Sequence, residues 1–307
     1  TFSIPPTKLY QVDIDEYEIG KNYPVEQGVV ADANAFCEAL WAEIASESAD
    51  TEKRAHWEGK VADLVVPWHK KLDPGRTDRS LPLRISAVLD IVHDAVPPDT
   101  IVLTGAGHSQ AQFLQEYTVN DASQVISPNG FSTMGFTVPG AIGAKLAAPD
   151  RPVLGFAGDG DFLMTVQELA MAAQYGLDLI YVVVDNAGWQ SIRDLQMDVY
   201  GEERGFAAEF RRADGESINP DLVTVARGFG VQAEEATDEQ ALKGAIGRAL
   251  ALGGPTVIVV PVRREFPESA GPVSGWWDVP VPASLSKRRK TYEKEVAPVR
   301  RDAVKRS

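Results

Sequence analysis

Cysteine is nearly absent: Cys37 stands alone among 307 residues. No internal disulfide framework can form, and such sparing use of thiols fits a reducing compartment. The residue lies in Asn34-Ala35-Phe36-Cys37-Glu38-Ala39-Leu40-Trp41, a helical pattern that predicts a buried structural thiol. No apolar run approaches the roughly 20 residues needed to span a bilayer, and no basic-then-apolar signal segment opens the chain. A soluble, cytoplasmic protein is expected, with no membrane partner. Positive charge is also scarce, at 30 Lys and Arg against 44 Asp and Glu, a net charge of −14. That argues against nucleic acid as a partner, because such affinity rests on neutralising phosphates. The deficit is uneven, since residues 286–307 hold nine Lys/Arg against three Asp/Glu. An acidic body with a basic tail, expected as a solvated helix, is the resulting picture.

With 44% hydrophobic residues the chain can bury a sizeable core. An alternating strand at 8–15, a Gly/Pro-marked turn at 20–24 and a helix over 33–47 open it. One strand and one helix make no core, so residues 1–48 are expected to be the end of an α/β domain. Residues 49–80 are expected to be a linker with a short helix. From Pro82 helices and near-continuous apolar strands alternate, with strands at 100–104, 124–127, 152–157, 179–184, 231–236 and 255–262. This predicts an α/β fold with a parallel sheet covered by helices on both faces over 81–270, followed by a tail at 271–307. Such sheets bind ligands beyond the carboxyl ends of their strands.

The motifs lie at those ends. Gly158-Asp159-Gly160-Asp161-Phe162 follows one strand directly, and Asp185-Asn186-Ala187-Gly188-Trp189 closes the next. Neighbouring strands thus present an Asp and an Asn at one sheet edge, which suits a hard cation. Mg²⁺ takes oxygen ligands and shares them between protein and phosphate. Asp159 offers a carboxylate, Asn186 an amide oxygen and Gly188 a main-chain carbonyl. The glycines let backbone approach a diphosphate.

This Gly-Asp-Gly, then Asn186 after an apolar strand, resembles the signature that anchors thiamine diphosphate through Mg²⁺ in the acetolactate synthase, pyruvate oxidase and decarboxylase superfamily. Two further segments are similar to the family's. Thr104-Gly105-Ala106-Gly107-His108-Ser109 resembles its first diphosphate loop, and Gly130-Phe131-Ser132-Thr133-Met134-Gly135 its Gly-Thr-Met-Gly segment, whose Met supports the bent cofactor. The resemblance covers essentially the whole chain but only the C-terminal half of a full-length enzyme. It implies cofactor contacts at Ala106, Gly107, His108, Ser109, Ser132, Met134, Gly158, Asp159, Gly160, Asp161, Asn186, Gly188, Trp189 and Gln190, with metal ligands Asp159, Asn186 and Gly188. His108 becomes a candidate proton carrier. The segment from Trp189 to about Arg212 is expected to cover the cofactor. Ser132 departs from the family's Gly and Asp185 from its Asn. Near the C-terminus, Gly275-Trp276-Trp277-Asp278 is similar to trihydroxycyclohexane-1,2-dione hydrolases. FAD stays undecided.

The resemblance also implies an incomplete site. In the family a glutamate that activates the aminopyrimidine belongs to a pyrimidine-binding domain lying ahead of the region matched here. Glu116 and Glu168 are the nearest local candidates, but on helices of the diphosphate domain. The expectation is therefore a second polypeptide carrying the pyrimidine domain and the glutamate, in a hetero-oligomer built on a dimer of such pairs. The expected reaction makes or breaks a C–C bond next to the carbonyl of a 2-oxo acid or 1,2-diketone. Hydrolysis of a cyclic 1,2-diketone and a non-catalytic, regulatory subunit stay open. A nicotinamide oxidoreductase fails because Gln110 occupies the third small-residue position after Gly105 and Gly107. A phosphotransferase using Asp159 and Asp161 lacks its downstream motifs. His56, His69 and His93 show no ligand spacing.

Overall fold

The computed structural model describes residues 7–45, 50–119, 124–201, 206–216, 218–265 and 279–305, with side chains as far as 297. Two compact units divide the chain, Thr1–Val65 with Ser274–Ser307, and Val66–Val273.

In the first unit β1 (Tyr10–Asp13) and β2 (Gln27–Val30) pair in parallel, with Tyr10 opposite Gln27. Helix α1 (Ala33–Ile44) is capped by Asp32, whose carboxylate accepts the Ala35 N–H. Cys37 on this helix is exposed, not the buried thiol expected. The helical period is real, but two short strands are too small a surface to cover it, and Leu40, Trp41 and Ile44 are exposed as well. Helix α2 (Thr51–Thr77) replaces the linker and short helix anticipated at 49–80, running through Pro67 and Pro74.

The second unit follows the alternation read from the sequence. Helix α3 (Ile85–Ala95), β3 (Ile101–Thr104), α4 (His108–Glu116), β4 (Val125–Ile126) and α5 (Thr137–Ala147) come first. After them come β5 (Val153–Gly158), α6 (Asp159–Met164), α7 (Leu169–Gln174), β6 (Ile180–Asp185) and α8 (Gln190–Tyr200). Helix α9 (Leu222–Gly228), β7 (Gln232–Glu235), α10 (Glu239–Leu252) and β8 (Thr256–Pro261) complete it. Back in the first unit, α11 (Ser286–Lys305) is the basic tail, and its Tyr292 and Val296 pack with Val281. Trp276, Trp277 and Asp278 lie outside the described residues.

Six parallel strands in the order β4-β3-β5-β6-β8-β7 form the sheet. Alternation along β6 explains its unbroken apolar run. Ile180, Val182 and Val184 pack on the α3, α4 and α10 side, while Tyr181 and Val183 pack on the α5, α7 and α9 side. Both faces are dry, so every position must be apolar. The chain turns one way from β3 to β4 and returns past β3 to β5. Helix α4 therefore covers one face and α6 the other, opening a crevice between the carboxyl ends of β3 and β5. Among the described residues, no helix is long and apolar enough to cross a membrane.

Candidate functional site

A cleft opens at that crevice. Of the fourteen residues named above as cofactor contacts, all but Ser132 line it. Segments after β3, β5 and β6 build most of the walls, and Met134 from the turn before α5 and Ile85 at the start of α3 complete them.

From β3, Gly107 takes φ 89° and starts α4, so the N-terminal N–H groups of that helix open toward the cleft. Gln190 and Ser191 bring the start of α8 to the same cleft. Two helix N-termini, each carrying the partial positive charge of its first turn, favour an anion there.

From β5, the Gly-Asp-Gly segment is helical from Asp159 onward. Asp159 is 2% exposed, and its two oxygens accept the N–H of Gly160 and the N–H of Gly188, each at 2.8 Å. Burial first, then the neighbouring Asp185 carboxylate, raises its pKa. A carboxylate offers about four acceptor sites, so two bonds do not exhaust Asp159. Asp161 points elsewhere: it accepts the Gly135 N–H and the Thr137 hydroxyl, clamping the Met134 segment against β5. Gly105 is needed beside it, since a Cβ there would meet the Asp161 carboxylate.

From β6, Asp185 accepts the Ala187 N–H and the Asn219 amide, which fixes the turn that follows. Asn186 gives its main-chain carbonyl to Arg264 at 2.8 Å, while its side-chain Oδ1 is buried without a hydrogen-bond partner. An unsatisfied buried amide oxygen costs free energy unless something else meets it. Gly188 has φ 139°, and a Cβ there would lie 2.5 Å from the Ala208 carbonyl. Its own carbonyl accepts the Gln190 N–H at 3.0 Å. Among the described residues no three His, Cys, Asp or Glu form a metal cluster. A cation here would therefore rest on one carboxylate, amide and main-chain oxygens, and ligand oxygens, a donor set suited to Mg²⁺.

Ser132 lies outside the cleft. It holds φ 48°, and its hydroxyl donates to Gln110 Oε1 at 2.7 Å. A left-handed backbone explains why a glycine serves the same position in the family it resembles. Met134 is half-buried on the cleft wall. Neither Glu116 nor Glu168 lines the cleft. Glu116 is buried on α4 and accepts the Ser86 hydroxyl at 3.1 Å.

The sequence singles out Trp189 to about Arg212 as a covering segment but does not reveal helix α8 within it or the contacts by which the segment returns, as a strap, to Gly188. Gly188 bridges Glu209, the Trp189 N–H donates to Ala208 at 2.8 Å, and the Trp189 and Phe210 rings meet edge to face at 5.1 Å. Glu209 gathers Arg193 at 2.7 Å, Arg211 at 2.6 Å and Arg264 at 3.6 Å. Burial opposes its charge, but the Arg211 hydrogen bond and the surrounding guanidinium charges prevail and lower its pKa. No motif announces Glu209. Only its place between Arg-rich stretches could have suggested it.

Helix N-termini, glycine turns and a paired Asp and Asn at a switch point define a diphosphate-binding α/β domain. The family described as thiamine pyrophosphate enzyme, C-terminal TPP binding domain, matches residues 105–260, and the chain belongs to it. It is similar to the acetolactate synthase large subunit of Parasynechococcus marenigrum, 32% identical over 85% of this chain and 40% of the relative. The Escherichia coli acetolactate synthase isozyme 1 large subunit is 30% identical over 85% of this chain and 44% of its own length. A 3D-(3,5/4)-trihydroxycyclohexane-1,2-dione hydrolase of Bacillus velezensis is 33% identical over 64% of this chain and 30% of its own. The chain thus spans well under half the length of these relatives.

Proposed function

We propose that the cleft takes the diphosphate of thiamine diphosphate through Mg²⁺, in an enzyme that breaks or forms a C–C bond next to a carbonyl. The observation that carries this reading is the buried, unsatisfied Oδ1 of Asn186, on the same cleft as Asp159. Mg²⁺ would meet that oxygen, a carboxylate oxygen of Asp159 and the main-chain carbonyl of Gly188, and offset the crowding of Asp159 by Asp185. Bound thiamine diphosphate would supply a nucleophilic thiazolium carbon for attack on a ketone. The protein's part is orientation. The starts of α4 and α8 meet the diphosphate charge, Met134 supports the ring system, and Trp189 with Phe210 limits water at the mouth.

The substrate class is the carbonyl of a 2-oxo acid or 1,2-diketone, and the similarity to acetolactate synthases favours an acetolactate synthase-like carboligation. The similarity to a trihydroxycyclohexanedione hydrolase supports hydrolysis of a cyclic 1,2-diketone as the second reading. No glutamate lines the cleft among the described residues. This supports a second polypeptide, carrying a pyrimidine-binding domain, that completes the site in a hetero-oligomer.

Calorimetric titration of thiamine diphosphate into the chain, with and without Mg²⁺, tests the cofactor assignment. Binding should require Mg²⁺ and be abolished in Asp159→Ala; Mg²⁺-independent binding, or unchanged affinity in the variant, would refute it. Full turnover of 2-oxo acids by the isolated chain would refute the partner.

A further inference from the structure

His108 and Asp194 form a buried pair at the cleft wall that the cofactor reading does not use. His108 is the first residue of α4 and is 6% exposed; Asp194 lies one turn into α8 beyond Gln190 and is 8% exposed. Gln190 and Asp194 are four apart, so they share a helix face, and Gln190 lines the cleft as His108 does. The distance from His108 Nε2 to Asp194 Oδ2 is 3.3 Å. Asp194 Oδ2 is buried and accepts no hydrogen bond of normal geometry, so His108 Nε2 meets it as a close polar contact, while Oδ1 lies 3.4 Å from Arg193.

A neutral imidazole has one N–H and one lone pair, and the hydrogen bond made by one nitrogen decides the state of the other. Were Nε2 unprotonated, its lone pair would face a buried carboxylate oxygen with nothing between them, an arrangement penalised in a dry site. We propose that Asp194 is a positioning residue that fixes His108 with its proton on Nε2, committing Nδ1 to the acceptor role at the cofactor cleft. The pair has the logic of a carboxylate that orients a histidine in a catalytic triad. Burial keeps the imidazole neutral down to about 4, so His108 brings no positive charge to a diphosphate at neutral pH. That charge is left to the helix N-termini and a cation. The consequence for ligand binding rests on the thiamine diphosphate reading; the tautomer itself does not.

The test is long-range ¹H–¹⁵N correlation spectroscopy on the chain labelled with ¹⁵N-histidine. The chain has four histidines, and loss of one pattern in His108→Gln assigns the residue. The wild type should show the Nε2–H pattern. Asp194→Asn keeps the shape but can either donate or accept, so the pattern should move toward Nδ1–H or a mixture. Glu209→Gln removes a carboxylate from Arg193 but not from His108, and should leave the pattern unchanged. An Nδ1–H pattern in the wild type would overturn the proposal, as would an unaltered pattern in a folded Asp194→Asn. Should that variant fail to fold, the wild-type spectrum decides alone. Affinity for thiamine diphosphate with Mg²⁺ should fall about tenfold in Asp194→Asn, as for other groups that act through a neighbour. A wild type that shows the Nε2–H pattern yet binds no thiamine diphosphate would overturn the cofactor reading and sustain the pair.

Discussion

The Gly188 N–H donates to Asp159 Oδ2 at 2.8 Å, joining two residues 29 positions apart at the ends of adjacent strands. The bond holds the Asp159 and Asn186 segments in one arrangement. It depends on a backbone at φ 139° and on the space a Cβ would fill, 2.5 Å from the Ala208 carbonyl. Gly188→Ala should therefore both strain the turn and part the strap from it. A loss of roughly 2 kcal/mol in urea unfolding is expected, together with weaker Mg²⁺-dependent binding of thiamine diphosphate. Unchanged stability would show that the strap is not held there.

Gly160 makes room for an indole. A Cβ at this position would lie 2.6 Å from Trp189 Nε1. Alanine is a better helix former than glycine, so any loss in Gly160→Ala reports displacement of Trp189 and not weakened helix propensity. A shift in tryptophan emission and a loss of cofactor affinity are expected with little change in helical circular dichroism. An emission spectrum like the wild type's would count against this contact.

Ser132 sets two effects against each other. Glycine would relieve the left-handed backbone by about 1 kcal/mol and forfeit a hydrogen bond to Gln110 of about the same size. Ser132→Gly should be near neutral in chemical denaturation, whereas Ser132→Ala, which loses the bond and keeps the strain, should cost about 1 kcal/mol or more. Equal costs for the two would remove backbone strain from the explanation.

What the sequence revealed depended on whether a signal was local. The runs of β5 and β6 stand out because Leu154 and Phe156 pack on one face and Val153 and Ala157 on the other, so no polar residue interrupts them. The turns after those strands carry glycines whose steric need is written in the residue type. Helix α6 was hidden because Gly158-Asp159-Gly160 reads as a turn, while the structure starts a helix inside it. Helix α8 lacks a side-chain cap, and Trp189 at its start gives no helix signal. Cys37 fails for the opposite reason: a helical pattern reports period and says nothing of whether a partner surface covers it. Asp194 and Glu209 act through contacts with distant segments, which spacing alone does not encode.

The His108–Asp194 pair makes a further prediction through pH. Folding lowers the His108 pKa from 6.5 to about 4 by burial. The unfolded chain then takes up the proton first, and stability drains away as pH falls from 6.5 to 4. Folding raises the Asp194 pKa from 3.8 to about 6, chiefly by burial and against the Arg193 charge, with Glu209 adding repulsion. Here the folded state protonates first, so stability grows as pH falls from 6 to 4. The two contributions oppose one another across nearly the same window. Asp194→Asn removes only the second, and its stability should fall more steeply than the wild type's between pH 6 and 4, by roughly 1–3 kcal/mol. His108→Gln removes only the first and should decline less than the wild type. Urea unfolding of the three proteins at steps between about pH 4 and 7 measures the slopes. Parallel curves would mean that neither group changes its protonation on folding.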